Sequence, residues 1–324
     1  MLSIGKERKK RYLTFNKHFA KNEELDFDHC VTNMTTEQTN DGMTNMTIEQ
    51  TNDGVTNLTT EQTDDGITNM TTEQTGDGVT NAPTKQTDSG EEYGPCEERT
   101  ILLMGRTRTG KSTIAEVLKT TLYEPREFSI YSETRQIAIS TVFTTNRNEN
   151  KSYRFTIIDT PGLFDITIDK SLRLRNEDIE LTIKSLLKFN IRLVHLFGIV
   201  FNLAHGINEH DIEAMIYIKN KFRGIEKQAV LVITNCEQMK KSERERLITQ
   251  FFQHPKVSKY RLREFFQQGV LFMGCLRHES IQSVNESAIY FEYNNILDMR
   301  SAFIEKCIAC TDTFSFRNSV CSVM

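Results

Sequence analysis

A glycine-flanked lysine, in the segment GRTRTGKS at residues 105–112, most constrains what this chain can fold into. The segment fits the pattern Gly-x-x-x-x-Gly-Lys-Ser/Thr, follows the apolar run TILLMG and opens the helical pattern GKSTIAEVLKTTL. In such a loop backbone N–H groups surround phosphate oxygens, the lysine contacts the β- and γ-phosphates, and the serine hydroxyl binds Mg²⁺. The alternative is an ordinary Gly turn with a solvent-facing lysine. The predicted nucleotide-binding residues are Gly105, Arg106, Thr107, Arg108, Thr109, Gly110, Lys111, Ser112 and Thr113.

The segment FTIIDTPG supplies a second predicted box. Asp159 ends its apolar run, where a carboxylate reaches Mg²⁺ through water, and the Gly162 N–H is expected to contact the γ-phosphate. Between the two boxes Thr134 is expected to complete the Mg²⁺ shell when GTP is bound, with Ser132 as the second choice. The predicted metal ligands are Ser112, Thr134 and Asp159, and the predicted catalytic residues are Lys111 and Thr134.

The segment VLVITNCE follows another apolar run and is the candidate base-reading box. The usual pattern there is Asn/Thr-Lys-x-Asp, whose carboxylate accepts hydrogen bonds from guanine N1 and N2. Here Thr234 opens the box, Asn235 stands in the lysine position and Glu237 replaces the aspartate. Because adenine lacks those donors, the carboxylate predicts GTP or GDP as ligand; a P-loop ATPase or small-molecule kinase is the alternative. A further base contact is expected around Cys275 and Leu276.

Short apolar runs alternate with helical patterns from residue 99 onward. The runs RQIAISTVFTT and YRFTIIDT, separated by the polar stretch NRNENKS, predict a β-hairpin. The periods of NEDIELTIKSLLKF and NEHDIEAMIYIKNKF predict helices between buried strands, and a long helix is predicted from about residue 280 to 310. These patterns predict an α/β fold, a three-layer P-loop NTPase domain with a mostly parallel sheet and helices on both faces. Ligands of such sheets bind beyond the carboxyl ends of the strands.

Residues 31–90 form five twelve-residue repeats, such as VTNMTTEQTNDG. Each repeat has one or two apolar residues among polar ones, which is too little apolar area to offset the entropy lost on ordering. We therefore expect a disordered arm, with a β-solenoid as the alternative. The predicted division is a basic flexible N-terminus at 1–30, the repeats at 31–90, the nucleotide-binding domain at 91–280 and a helical tail at 281–324.

Composition and the chain ends favour a cytoplasmic protein. The net charge of −4 gives no reason to expect nucleic acid as a partner. The seven cysteines, an odd number, do not describe a framework of disulfide pairs. The first twenty residues carry charges where a signal peptide would need an apolar core. The final CSVM fits a Cys-a-a-X box. It predicts farnesylation of Cys321 and reversible membrane association, with an unmodified end as the alternative.

The residue after Asp-Thr-Pro-Gly bears on turnover. It is Leu163, whereas GTPases that orient the attacking water carry glutamine there. Leucine cannot hydrogen-bond water, so we expect slow hydrolysis unless another group, such as an arginine, assists. Arg106 and Arg108 are candidates to face a partner across the nucleotide, and solvated loop residues are the alternative interpretation.

The segments GRTRTGKST, SETR, IIDTPGLFD, VFNLAHGINEHD and VLVITNCE together resemble the AIG-type GTPases, the immunity-associated nucleotide-binding family, over about residues 99–280. The resemblance implies a GTP-binding domain that dimerises or oligomerises through its nucleotide face, often on membranes. The family's box after the fourth strand commonly carries an arginine after its glycine, but here Ile207 follows Gly206. His205 of that box either contacts the opposite nucleotide or lines the strand end.

Two functions remain open from the sequence. One is a nucleotide-dependent switch with slow or dimer-stimulated hydrolysis of GTP to GDP. The other is a GTP-bound oligomeric scaffold with little or no hydrolysis. Leu163 and the missing box arginine favour the scaffold.

Overall fold

The computed structural model describes residues 96–123, 134–146, 149–164, 174–203, 206–282 and 286–316, together with the backbone of four short strands between residues 32 and 74. The strands are β1 Thr32–Gln38, β2 Thr44–Gln50, β3 Thr56–Gln62, β4 Thr68–Gln74, β5 Glu97–Gly105, β6 Ala138–Asn146, β7 Lys151–Asp159, β8 Leu196–Asn202, β9 Ala229–Thr234 and β10 Val270–Phe272. The α-helices are α1 Lys111–Lys119, α2 Asn176–Phe189, α3 Glu209–Lys221, α4 Lys241–Gln253, α5 Pro255–Lys259, α6 Leu262–Phe265, α7 His278–Gln282 and α8 Glu286–Ala309.

A mostly parallel sheet organises the domain. Its strand order is β10-β9-β8-β5-β7-β6, continued by β1 and β2 at the β6 edge. The strands from β10 to β7 are parallel to their neighbours, and β6 and β7 form the predicted antiparallel hairpin. Leu103 lies opposite Asp159 and Asn202 lies opposite Thr234, so the carboxyl ends of β5, β7, β8 and β9 meet at one edge. The predicted α/β architecture is confirmed.

The central strands are buried on both faces because their side chains alternate between two apolar clusters. Leu102 and Ile158 pack with α2 and α3, whereas Ile101, Leu103 and Ile157 pack with α1 and α8. This explains why the strands read as continuous apolar runs and not as an alternating pattern. Each cluster lies between the sheet and the helices on one of its faces, so helices, sheet and helices form the three layers that the sequence predicts.

The long helix α8 is part of the same core. Tyr293, Ile296 and Phe303 of this helix are fully buried in the cluster that also contains β5 and α1. Arg300 donates hydrogen bonds to the carbonyl oxygens of Val117 and Leu118, at 3.1 and 2.8 Å. These carbonyls lie in the last turn of α1, where no intrahelical donor remains, so α8 caps the helix that follows the phosphate loop.

The described parts of four repeats differ from the expected disordered arm. Each contains a seven-residue strand, β1 to β4, and β1 pairs with β2 and β3 with β4 in antiparallel fashion. This pairing also differs from the parallel coils of a solenoid. Threonine favours strands, and the Asp-Gly between successive strand segments is a hairpin signal. The strand β1 pairs with β6 at Ser140, Ile139 and Ala138.

Several predicted features fall outside the described residues. They include the N-terminus at 1–30, Ser132, His205 and the C-terminal box with Cys321. In the described ranges, no helix is both long and apolar enough to cross a membrane.

Candidate nucleotide site

A left-handed turn at Gly110 joins the phosphate loop to α1. Gly110 has φ 92° and ψ 20°, a conformation that glycine adopts without steric cost. The first amides of a helix have no intrahelical acceptor, and the helix dipole makes this end positive. Thr109 Oγ1 donates to the Arg106 carbonyl at 2.9 Å, and Thr234 Oγ1 donates to the Thr109 carbonyl at 2.7 Å. The braced loop and the helix start form a site suited to an anion.

Lys111 provides a buried positive charge inside this loop. Its side chain is buried, and Nζ donates to the carbonyl oxygens of Arg106, at 3.0 Å, and Gly105, at 3.4 Å. Burial lowers the pKa of Lys111 to about 8, and the nearby Asp159 opposes that shift. The solvent-facing lysine of the alternative interpretation is therefore not what the structure has. A buried ammonium group whose hydrogen-bond partners are mainly neutral carbonyls is strongly stabilised when an anion binds beside it.

The second predicted box packs against the phosphate loop through its backbone. The Thr107 N–H donates to the Leu163 carbonyl at 2.9 Å, and the Leu163 N–H donates to the Gly105 carbonyl at 3.0 Å. A Cβ on Gly162 would lie 2.4 Å from Thr107 Cα, so only glycine fits at this close approach. The predicted γ-phosphate contact is thus held directly beside the loop.

The three predicted metal ligands lie together. Ser112 Oγ donates to Asp159 Oδ2 at 2.5 Å and is 2.9 Å from Thr134 Oγ1. Asp159 is buried, and its Oδ1 has no hydrogen-bond partner among the described residues. Burial raises the pKa of Asp159, whereas Lys111 lowers it. Two hydroxyls and a carboxylate with an unused buried oxygen fit Mg²⁺, which prefers oxygen ligands. Thr113, the last predicted loop residue, is half-buried beside them.

The base-reading box follows β9 at the same sheet edge. Thr234 is buried, Asn235 is exposed with φ 57°, and Glu237 is buried. Among the described residues Glu237 Oε2 accepts no hydrogen bond. Burial is the main reason that the pKa of Glu237 is raised to about 7, and Glu292 adds to that rise. A buried carboxylate with a free oxygen is suited to the paired donors of guanine.

Three residues around Glu237 carry no sequence motif. A Cβ on Gly274 would lie 2.7 Å from Glu237 Oε2, and Arg277 Nε is 3.7 Å from Glu237 Oε1. Glu292 of α8 accepts from the Arg277 N–H at 2.8 Å. The sequence predicts a base contact around Cys275 and Leu276 in the loop after β10, and the residues of that loop that lie beside Glu237 are Gly274 and Arg277. No motif marks Glu292, which comes from a helix far along the chain.

The two arginines of the phosphate loop are in different situations. Arg106 Nη1 lies 3.5 Å from Asp211 Oδ1, in the first turn of α3. Arg108 is exposed, has φ 66°, and its carbonyl accepts from Asn202 Nδ2 at 3.1 Å. Neither Asp211 nor Asn202 was predicted, because no local signal links them to the loop. In the box after β8, Ile207 is exposed and directly follows Gly206 in the chain.

Comparison with known proteins agrees with this geometry. The model of the AIG1 family matches residues 99–274, from within β5 to the loop that contacts Glu237. No curated protein matches the chain. The matched residues comprise more than half of the chain and include the phosphate loop, the Asp-Thr-Pro-Gly box and the base-reading box. The chain therefore belongs to the AIG1 family and is a GTP-binding protein of the P-loop GTPase class.

Proposed function

We propose that this chain is a guanine-nucleotide switch that hydrolyses GTP slowly on its own. In this proposal Lys111 and the amides at the start of α1 bind the β- and γ-phosphates, and Gly162 contacts the γ-phosphate. Glu237 accepts from guanine N1 and N2. The buried Lys111 ammonium inside the loop is the observation that most supports nucleotide binding.

Mg²⁺ would be held by Ser112 and Thr134, with Asp159 acting through water. The unpartnered Oδ1 of Asp159 supports this assignment, because a buried carboxylate oxygen is costly to leave unpaired. The ion would neutralise charge on the β- and γ-phosphates. The chain's own contribution is to keep the Thr134 hydroxyl and the Asp159 carboxylate within hydrogen-bond distance of Ser112 Oγ.

Slow turnover is supported by the position of Leu163. Its side chain is only 3% exposed and packs in the core cluster that includes Ile137 and Ile158. Its backbone is tied to Gly105 and Thr107. A side chain directed into the core cannot orient an attacking water, whatever its polarity. The position that holds the water-orienting glutamine in other GTPases is therefore structural here.

A GTP-bound scaffold with little hydrolysis is the second candidate. It is favoured by Ile207, which stands where an arginine is common in the family and is 37% exposed. Dimerisation or oligomerisation through the nucleotide face, and membrane attachment through a farnesylated Cys321, remain proposals that come from the sequence. We retain the cytoplasm as the proposed location for the same reason.

Single-turnover phosphate release, measured at rising protein concentration, separates the two candidates. A dimer-stimulated switch releases phosphate with a rate constant that increases with concentration. A scaffold binds GTP with Mg²⁺ but releases almost no phosphate at any concentration. Failure to bind GTP at all would refute both candidates.

A further inference from the structure

Arg108 has a backbone conformation that is unusual for an arginine. Its φ of 66° lies in the left-handed region, which glycine adopts freely but which costs other residues energy because of contacts of their Cβ. Backbone strain of this kind often marks functional sites. Glycine at this position would satisfy the loop geometry without strain, so folding alone does not explain the choice of arginine.

A specific contact holds Arg108 in place. Asn202, the last residue of β8, donates from Nδ2 to the Arg108 carbonyl at 3.1 Å. Thr107, the residue before it, is bonded to Leu163, and Thr109, the residue after it, is bonded to Thr234. Hydrogen bonds on both sides of Arg108 therefore fix the position of its backbone within the phosphate loop.

The guanidinium of Arg108 is available, in contrast to that of Arg106. Arg106 lies beside the buried carboxylate of Asp211, and its own side chain is mostly buried. Arg108 is exposed, and no ion pair or side-chain hydrogen bond engages its guanidinium in the part of the chain that the structure describes. One loop arginine is thus structural, and the other is free to contact a ligand of the loop.

The proposed GTPase reaction needs such a group. The oxygen of water forms a bond to the γ-phosphorus while the bond between that phosphorus and the β–γ bridging oxygen breaks. The electron pair stays on the bridging oxygen of GDP, and the water proton passes to phosphate or solvent. Negative charge that develops on the bridging and γ-oxygens is stabilised by an arginine in many GTPases. Here neither Leu163 nor Ile207 can supply that charge.

We propose that Arg108 is a catalytic arginine acting in cis, with its guanidinium over the β- and γ-phosphates of the nucleotide bound by its own chain. The inference rests on the proposed GTPase function and names the residue that provides its turnover. It predicts that Arg108 contributes to the transition state and little to GDP binding, because GDP lacks the γ-phosphate.

The test compares the intact chain with Arg108→Gly and Arg261→Gly. Arg261 is a matched control, since it is also an exposed arginine with positive φ, at 51°, but it lies between α5 and α6 and outside the nucleotide site. We expect Arg108→Gly to lower the single-turnover rate about 10²- to 10³-fold, the usual effect of removing one transition-state donor. Affinity for GDP with aluminium fluoride should fall, with GDP affinity unchanged. Both variants should unfold at a higher temperature than the intact chain, because glycine removes the strain.

Each outcome decides the proposal. The proposal is overturned if the Arg108→Gly variant hydrolyses GTP at the same rate as the intact chain and binds GDP–aluminium fluoride with the same affinity. A second experiment mixes Arg108→Gly with an excess of Lys111→Met, which retains Arg108 but lacks the phosphate-binding charge. Recovery of hydrolysis would place the arginine in a neighbouring copy and overturn the cis assignment, whereas no recovery supports it. An intact chain without affinity for GTP would refute the underlying function, and this result is separate from the others.

Discussion

The buried carboxylate of Glu237 makes a quantitative prediction about guanine recognition. Its pKa of about 7 means that the carboxylate, the form that accepts from guanine N1 and N2, is only partly populated near neutrality. At pH 7.5 about three-quarters of the free protein is ionised at this group, and at pH 6 about one-tenth is. We therefore expect GTP affinity to be about eightfold weaker at pH 6, or about 1.2 kcal/mol.

The assay is isothermal titration of GTP at both pH values, with Glu237→Gln as the control. The glutamine amide does not titrate, so the control corrects for protonation of Lys111 and of the phosphates. It should also prefer xanthosine triphosphate, because its amide oxygen accepts from base N1–H and its NH₂ donates to the 2-oxo group. If the intact chain and Glu237→Gln show the same change between pH 6 and 7.5, Glu237 does not read the base.

Stability of the nucleotide-free chain gives an independent check on Glu237. The raised pKa means that the folded state holds an extra proton between about pH 4.5 and 7. The contribution of this group to the free energy of unfolding therefore falls as the pH rises through that window. The upper limit is about 3 kcal/mol for a shift of this size. Glu237→Gln should accordingly be more stable than the intact chain at pH 8, with the difference lost near pH 4.5.

Two further substitutions test the contact between the Asp-Thr-Pro-Gly box and the phosphate loop. Leu163→Gln should lower the free energy of unfolding by about 2–4 kcal/mol, because it buries an amide in an apolar cluster. Urea denaturation and single-turnover phosphate release check this, and a tenfold faster hydrolysis would contradict the structural role of Leu163. Gly162→Ala should weaken GTP binding strongly, since its Cβ would meet the Thr107 backbone. Gly269→Ala strains its own backbone at φ 83°, but its Cβ would meet nothing within 4 Å, so this variant should retain GTP affinity; equal losses of affinity in both variants would count against the close approach at Gly162.

Local patterns were sufficient to predict most of the fold. The helix predicted at NEDIELTIKSLLKF is observed over those fourteen residues, because apolar spacing and an acidic first turn are both local signals. In the apolar segment GVLFMGCL, residues 269–276, only Val270–Phe272 forms a strand. The Met273 N–H still donates to the Ile233 carbonyl of β9 at 2.9 Å, and the next residue, Gly274, packs against Glu237, a contact that no local pattern encodes. In the repeats, the low apolar content favours disorder, whereas the strand preference of threonine favours the strands β1 to β4.

The candidate site was predicted as far as its residues lie in motifs. Ser112, Thr134 and Asp159 lie in separate segments of the sequence, and the fold brings their oxygens together. The side chains that contact these motif residues could not be predicted, because they come from elements that are distant in the sequence. Asn202 reaches the Arg108 carbonyl from 94 positions away, and Glu292 comes from a helix beyond the family match.

The central claim is that the loop around Gly110, with the buried Lys111 ammonium, binds a magnesium–triphosphate. Isothermal titration of GTP with Mg²⁺ into the intact chain and into Lys111→Met tests it most directly. Methionine keeps the buried apolar stem and removes the charge, so the variant should fold. We expect binding by the intact chain and a loss of about 2–5 kcal/mol, or roughly 30-fold to several thousand-fold in affinity, in the variant. Equal affinities, or no heat of binding with the intact chain, would contradict the account.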